Sequence, residues 1–407
     1  MLIPRSLAIA LLIVAPATGI LGTLTPASAQ DPTTHTVAVD GSADFTSVQA
    51  AVDAAASGDV VMVQPGTYTE QVVIDKDLAL MGDGPRAEVV IAAPSDAAGS
   101  PEGAGRGSGQ PFALWLAGET VTVSDLTVAI PHGTIGVVST AGAPLIERVS
   151  LMGGAEMRAS AYVHSPYRSM AFFDMSRPTV RDSEWDGYAT VRDGASVTFV
   201  GNTVYGDTIS IDGPGETSVR DTVLQRGSIA LHRGVVAVIE GNEFNGDITQ
   251  LGIDSGSRAE VRGNVFNGSV EDASIWIEGS DTTAVISGNT VNDSQTAIRI
   301  SDADTVTVTG NALEAAVLGI AITGADARID DNTITSEAAG IGIAAGAEPT
   351  ITGNTIDAGR NAIVVGFASA PMISGNVVCG AEASIFVMDG ADPEIGDNDV
   401  CEDVQAD

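Results

Sequence analysis

Positive charge is scarce in this chain. Of its 407 residues 18 are basic and 53 acidic, a formal net charge of -35, and Lys76 is the only lysine. So acidic a surface repels phosphates, which excludes nucleic acid as a natural partner. The same acidity suits high salt, where self-repulsion is screened, and equally suits an ordinary soluble rod. Two cysteines and four histidines leave little material for a metal centre. Beyond the first thirty residues no apolar run is long enough to span a bilayer. Leucine is scarce beside isoleucine, valine and threonine, which argues against a leucine-rich repeat.

Residues 1–29 read as a secretion signal. Arg5 supplies the positive start, Leu7 to Val14 the apolar centre, and Ala27-Ser28-Ala29 a small-residue cleavage site. Pro16 and the short apolar run argue against a retained membrane helix. The expected product is a secreted, extracellular domain over residues 30–407.

What that domain contains is repetition. Between residues 285 and 400 one phrase returns: VISGNTV, VTVTGNALEA, ARIDDNTI, PTITGNTI, PMISGNVV, PEIGDNDV. Its asparagines, Asn289, Asn311, Asn332, Asn354, Asn376 and Asn398, lie 22, 21, 22, 22 and 22 residues apart. Such self-similarity marks a solenoid. Each unit holds β-branched runs of strand length broken by Gly-Asn corners, where a positive φ is easy. One coil cannot bury its inward apolar row alone. Stacked at about 4.8 Å on a neighbour, it pairs its backbone and extends a shared core, with the asparagines forming a hydrogen-bonded ladder. The spacing predicts an all-β, single-stranded right-handed parallel β-helix, the hand following the rule for parallel crossovers.

The phrase persists upstream at Asn264, Asn242 and Asn202, and Asp221, Asp182, Asp125 and the Arg148 region read as the same ladder position in earlier coils. About thirteen coils make a rod roughly 60 Å long. In the C-terminal coils, 376–407, Cys379 and Cys401 each follow a ladder asparagine by three residues and lie 22 apart, one coil. Stacking brings their Cα atoms to about 4.8 Å, within disulfide range, and export supplies oxidising conditions. The acidic tail discourages end-to-end association, so a monomer is expected.

Residues 44–74, DFTSVQAAVDAAASGDVVMVQPGTYTEQVVI, resemble the opening of pectinesterases and other pectate-lyase-like β-helix proteins, including the Gly66-x-Tyr68-x-Glu70 phrase. Thr46 and Gln49 suggest a capping box, and Phe45, Val48 and Val52 share one face of a short helix within 44–58 that would plug the open end of the solenoid. Glu70 reads as structural. Residues 92–111, rich in Gly, Ala, Ser and Pro, form an irregular excursion.

The resemblance implies two catalytic aspartates, in a QDT phrase and a DFIFG phrase, and neither is intact. The nearest local matches are Gly187-Tyr188-Ala189-Thr190 and Gly206-Asp207-Thr208-Ile209. The GHG phrase of polygalacturonases is missing too, so pectinesterase activity is expected to be absent. Pectate-lyase chemistry needs clustered acids for Ca²⁺ and a basic residue to take the proton, and the many acids leave it open.

Residues 148–192 gather chemistry. Six arginines lie there (Arg148, Arg158, Arg168, Arg177, Arg181, Arg192), with Tyr162, Tyr167, Tyr188, Trp185, Phe172, Phe173 and His164. The acids Glu156, Asp174, Asp182, Glu184 and Asp186 are interspersed. Guanidinium forks grip carboxylates and aromatic faces stack on sugar rings. The stretch reads either as irregular coils with compensating salt bridges or as a site for an acidic polysaccharide at 156–192. In the second reading Arg168, Arg177, Arg181, Trp185 and Tyr188 bind, Asp182, Glu184 and Arg181 are the catalytic candidates, and Ca²⁺ bridges remaining repulsion. Two function classes follow: a non-catalytic secreted β-helix that binds or is displayed on an extended polysaccharide, and a polysaccharide lyase or glycoside hydrolase. A periplasmic copper-maturation β-helix is a third reading, disfavoured by the few histidines and unclustered methionines.

Overall fold

A computed structural model describes residues 31–97, 99, 110–153 and 168–401, and the backbone of 405–406. The secretion signal, most of the 92–111 excursion, and Glu156, Arg158, Tyr162, His164 and Tyr167 lie outside the described residues.

From Thr34 onward the chain winds as a right-handed parallel β-helix. A first ladder of 16 parallel strands, one per coil, runs from Thr34–Val37 to Glu394–Ile395. There are thus sixteen coils rather than about thirteen. The extra ones at the start (Val60–Val63, Leu78–Gly82) carry no asparagine phrase by which they could be counted. A second ladder, after the asparagine corner, runs from Gly66–Thr69 to Asp399–Val400, and a third from Val72–Ile74 to Gln405–Ala406. The second and third merge into one sheet because Thr290–Ser301 and Ala312–Thr323 pass through the intervening corner without a break.

Register follows apolarity. In the first ladder one row stacks Val180, Phe199, Val219, Ile239 and Val261, all inaccessible to solvent, while the residues between them face out. A slip of one residue would expose that entire row, which is why the register is firm.

The corner between first and second ladders holds the asparagine spine. From Asn242 through Asn264, Asn289, Asn311, Asn332, Asn354 and Asn376 to Asn398, the backbone N–H and side-chain Nδ2 of each donate to Oδ1 of the next. The residue before each of the first seven turns with positive φ, for example Gly353 at 70° and Gly375 at 67°. That slot also holds Asp125, Arg148, Asp182 and Asp221, at 59°, 52°, 50° and 48°. These four are therefore not ladder residues, as the sequence suggested, but the turn residues beside it. The inward position belongs to Ser183 and Thr222, whose N–H groups donate to Asn202 and Asn242. Short polar side chains that tolerate a left-handed backbone explain the aspartates.

The first coil is plugged by the helix Val48–Ala54, with Val48 and Val52 buried and Phe45 packed beside them. The cap is Ser47 rather than Thr46: its side chain accepts from Ala50 N–H. Glu70 completes the cap, accepting from Val48 N–H at 2.8 Å, Gln49 N–H at 2.9 Å and Ser47 Oγ at 2.7 Å. A carboxylate belongs at the positive end of a helix. Gln49 instead ties the helix to the third ladder, accepting from Val73 N–H. The only lysine closes the other end: Lys76 Nζ donates to the carbonyls of Val52 and Ala55, both at 3.1 Å.

At the far end Cys379 and Cys401 are joined, their Cα atoms 4.9 Å apart on stacked coils. Among the described residues no helix is long and apolar enough to cross a membrane.

Candidate functional site

A coil presents three outward faces, and charge is not shared equally among them. On the first ladder, arginines and acids interleave. Arg181 bonds Glu147 through Nε and Nη2, Arg148 forks onto Asp125, and Glu240 lies between Arg220 and Arg262. Arg148 holds the Asp125 carboxyl below the ordinary range, and Arg262 does the same to Glu240. These guanidinium groups are engaged by their own chain.

The residues singled out in 168–192 scatter around the coil. Arg181 faces out from the first ladder, and Asp182 occupies the corner. Glu184 faces out from the second ladder, taking bonds from Arg86 at 2.9 Å, Ser150 at 3.0 Å and Tyr205 at 3.2 Å. Asp182, Glu184 and Arg181 therefore do not converge. Arg177 lies at the corner leading back to the first ladder, beside Glu119, Asp174 and Met175 in an open cleft of about 520 Å³.

Trp185 is the clearest correction. It is fully buried and packs on Phe199 with ring centroids 5.6 Å apart, so it offers no stacking platform. The reason is phase. The second residue after this corner always points inward, and the row reads Trp185, Val204, Leu224, Phe244, Phe266. Of the expected binding residues only Arg168 and Tyr188 meet. They begin adjacent strands of the third ladder, the guanidinium 5.2 Å from the ring centroid, and Arg168 also donates to Gln110 at 3.0 Å. A cation over an aromatic face is a modest attraction.

The outer face of the third ladder is different in kind. Its middle row stacks Thr190, Ser210, Ala230, Gly252, Trp276 and Arg299. Ser210, Ala230 and Gly252, small and partly exposed, lead to the indole and make a trough closed at one end by a wall, with Thr190 covered at the far end. Three coil steps at about 4.8 Å separate Ser210 from Trp276, roughly 14 Å of shelf. Nothing lies within 4 Å of the point where a Cβ on Gly252 would sit, so the floor beside Trp276 is open. Arg299 beyond the wall pairs with Asp272 at 3.0 Å.

A second outward row flanks the trough with Arg192, Asp212 and His232 in register, and Asp254 follows one coil on. Arg233 holds Asp212 Oδ2 at 3.1 Å, and His232 Nδ1 lies 2.8 Å from Asp254 Oδ2. The other oxygen of each aspartate is different. Asp212 Oδ1 and Asp254 Oδ1 are buried and find no hydrogen-bond partner in the protein, and the same holds for Thr190 Oγ1 and Trp276 Nε1. Thr190 is only 2 % exposed. Four of the eleven such atoms among the described residues thus lie on this one face. Buried polar atoms without partners are costly and call for an explanation.

Trp276 was not singled out from the sequence, though a signal exists. In Ile275-Trp276-Ile277 the isoleucines face the core, and the next coil places Arg299 at the same phase between Ile298 and Ile300. A position that accepts arginine is an outward one.

A family model described as periplasmic copper-binding protein (NosD) matches residues 174–326 and, overlapping, 273–405, together more than half of the chain. Among solved structures, the chain is similar to the A-module of the Azotobacter vinelandii mannuronan C-5 epimerase AlgE6, at 16 % identity and TM-score 0.42, covering 88 % of this chain and 94 % of that one. A double mutant of the periplasmic alginate epimerase AlgG matches at 11 % identity and TM-score 0.48, covering 84 % of each chain. A PL6 alginate lyase in complex with a trisaccharide matches at 17 % identity and TM-score 0.42, covering 92 % of this chain and 86 % of that one. No curated protein matches the chain. At such identities none of these enzymes' chemistry transfers.

Proposed function

The chain belongs to the NosD family of periplasmic copper-binding proteins, and from that premise we propose that it is an exported β-helix that binds an extended polysaccharide along the outer face of the third ladder. The observation that carries this reading is the trough that ends at Trp276, with its open floor at Gly252. An outward indole beside a shelf of small residues accepts the flat face of a sugar ring, and a straight ladder accepts a straight chain. Export is supported by the family's periplasmic description and by the joined cysteines.

Copper fits the donor set poorly. Both thiols are consumed in the disulfide. His35 lies on the first strand of the first ladder and His232 midway along the third, each against its own aspartate. Among the described residues no group of three or more His, Cys, Asp or Glu could hold a metal ion. Among the described residues, copper ligation by His, thiolate or carboxylate therefore lacks a built site, and no copper step is derived. Calcium bridging, expected at 156–192, loses its geometric basis because Asp182 and Glu184 face different sides.

The test is sedimentation with insoluble polysaccharides, using the wild type and a Trp276→Ala variant. We expect binding by the wild type and a loss of about tenfold or more on removing the indole, the behaviour of a central aromatic contact. Retention of no polysaccharide by the wild type would end the proposal. Equal retention of both proteins would move the site elsewhere.

A further inference from the structure

The trough also carries information on which polymer it would take. Resting on the carbohydrate reading above, we infer that it selects a neutral, hydroxyl-rich chain over a polyuronate, against the preference for acidic polymers that the arginines of 148–192 suggest.

The face leaves four buried polar atoms without a partner in the protein. Three buried atoms can accept a hydrogen bond: Thr190 Oγ1, Asp212 Oδ1 and Asp254 Oδ1. One can only donate, Trp276 Nε1. A matching ligand must chiefly donate, and must accept once. Sugar hydroxyls do both. A uronate carboxylate is acceptor-only at neutral pH, so it offers nothing to the two aspartates and repels them.

Local charge points the same way. Two of the cations near the trough are already matched: Arg233 holds Asp212, and Arg299 holds Asp272. Arg192 shares its row with Asp212, and Glu278 sits on the row beyond His232. Arg192 is exposed and, among the described residues, makes no ion pair, but along its row it is outnumbered by Asp212, Asp254 and Glu278, and the molecule as a whole stands at -35. A polycation would gain from that field at long range. At the trough, however, each aspartate already has one oxygen engaged by a cationic or imidazole partner, and the free oxygen is buried, where an extra ammonium must be desolvated. A neutral hydroxyl meets the same oxygen at a much smaller desolvation cost.

Titration calorimetry with hexasaccharides decides it: cellohexaose, xylohexaose and mannohexaose as neutral probes, hexagalacturonate as the acidic one, and chitosan hexaose as the amine-bearing one. Each is measured at low and high salt. The expected result is binding of at least one neutral probe with an affinity that salt barely alters, and at least tenfold weaker binding of hexagalacturonate at both salt levels. Asp254→Asn and Asp212→Asn should weaken the neutral probe roughly tenfold, because an amide rotated to satisfy its neighbour is a poorer acceptor than a carboxylate. Trp276→Phe, which keeps a ring and drops the N–H, guards against a variant that merely unfolds, and melting curves accompany each protein. Tighter binding of hexagalacturonate or chitosan hexaose would overturn the inference while leaving polysaccharide binding intact. Binding of no probe would overturn both.

Discussion

Replacing Asn354 by leucine tests the asparagine spine that runs through the last eight coils. The Asn354 side chain is inaccessible and takes part in five hydrogen bonds. Its Nδ2 donates to Ile329 O at 2.9 Å, Thr352 O at 3.1 Å and Asn376 Oδ1 at 2.9 Å. Its Oδ1 accepts from Asn332 N–H at 3.0 Å and from Asn332 Nδ2 at 2.9 Å. Leucine keeps the branched outline, is somewhat bulkier, and makes none of them. Asn332 Nδ2 keeps Val308 O and Asp330 O, and Asn376 Oδ1 keeps the Asn354 backbone N–H. The backbone N–H of Asn332 loses its acceptor, and Ile329 O loses the amide that reaches it across a coil. Two buried groups deprived of partners at 1–3 kcal/mol each put the cost at about 2–6 kcal/mol. Because coils interact mainly with their neighbours, the damage should stay local. Hydrogen exchange by mass spectrometry is therefore the assay, supported by a thermal melt. Faster exchange is expected in peptides over 329–334 and 350–356, with peptides over 60–82 unchanged. Asn354→Ser, the residue that occupies the same slot as Ser183, should fall between wild type and leucine. Unchanged exchange around Asn332 in the leucine variant would refute the claim that the spine, rather than the apolar rows alone, holds these coils in register.

The remaining predictions concern the two ends. Alkylation without reductant should label neither cysteine, and reduction should loosen the last coils, since closing a loop of about 22 residues is worth roughly 3 kcal/mol in the chain-entropy model; two labelled thiols in protein kept under oxidising conditions would contradict the bridge. Glu70→Ala should destabilise the N-terminal coil by about 1–2 kcal/mol through loss of the helix cap, seen as faster exchange over 47–55, and unaltered exchange there would remove Glu70 from that role. Asp59 accepts from His35, from Ala56 N–H and from Thr33 N–H, and these bonds, the one to His35 foremost, pull its carboxyl down to about 2. A depressed carboxyl contributes stability above its unfolded value and loses it as pH falls through the folded one. Acid melts should therefore weaken between about pH 4 and pH 2, and Asp59→Asn should flatten that limb; an identical acid profile in the variant would exclude Asp59 as its source.

Much of this protein is written in its period. A phrase recurring every 22 residues leaves few options for burying its apolar rows, and stacking satisfies backbone and core together. Asn289 to Asn398 could be placed on one spine, and Cys379 and Cys401 on adjacent coils, because equal spacing in sequence becomes adjacency in space. Even Glu70 could be read as structural from its place in the first coil. What the period could not supply was phase. Asp182 and Ser183 differ by one position, and only the backbone turn decides that the aspartate bends outward while the serine enters the spine. Trp185 and Trp276 look alike as outlying aromatics, yet one completes the core and the other stands on the surface, since alternation along a strand reverses with every residue. Arg181 and Arg168, thirteen positions apart, face different ladders. The trough joins single residues from successive coils, Thr190, Ser210, Ala230, Gly252 and Trp276, none near another in the chain. Their proximity arises only when coils of unequal length are laid in register, and that depends on every corner between them.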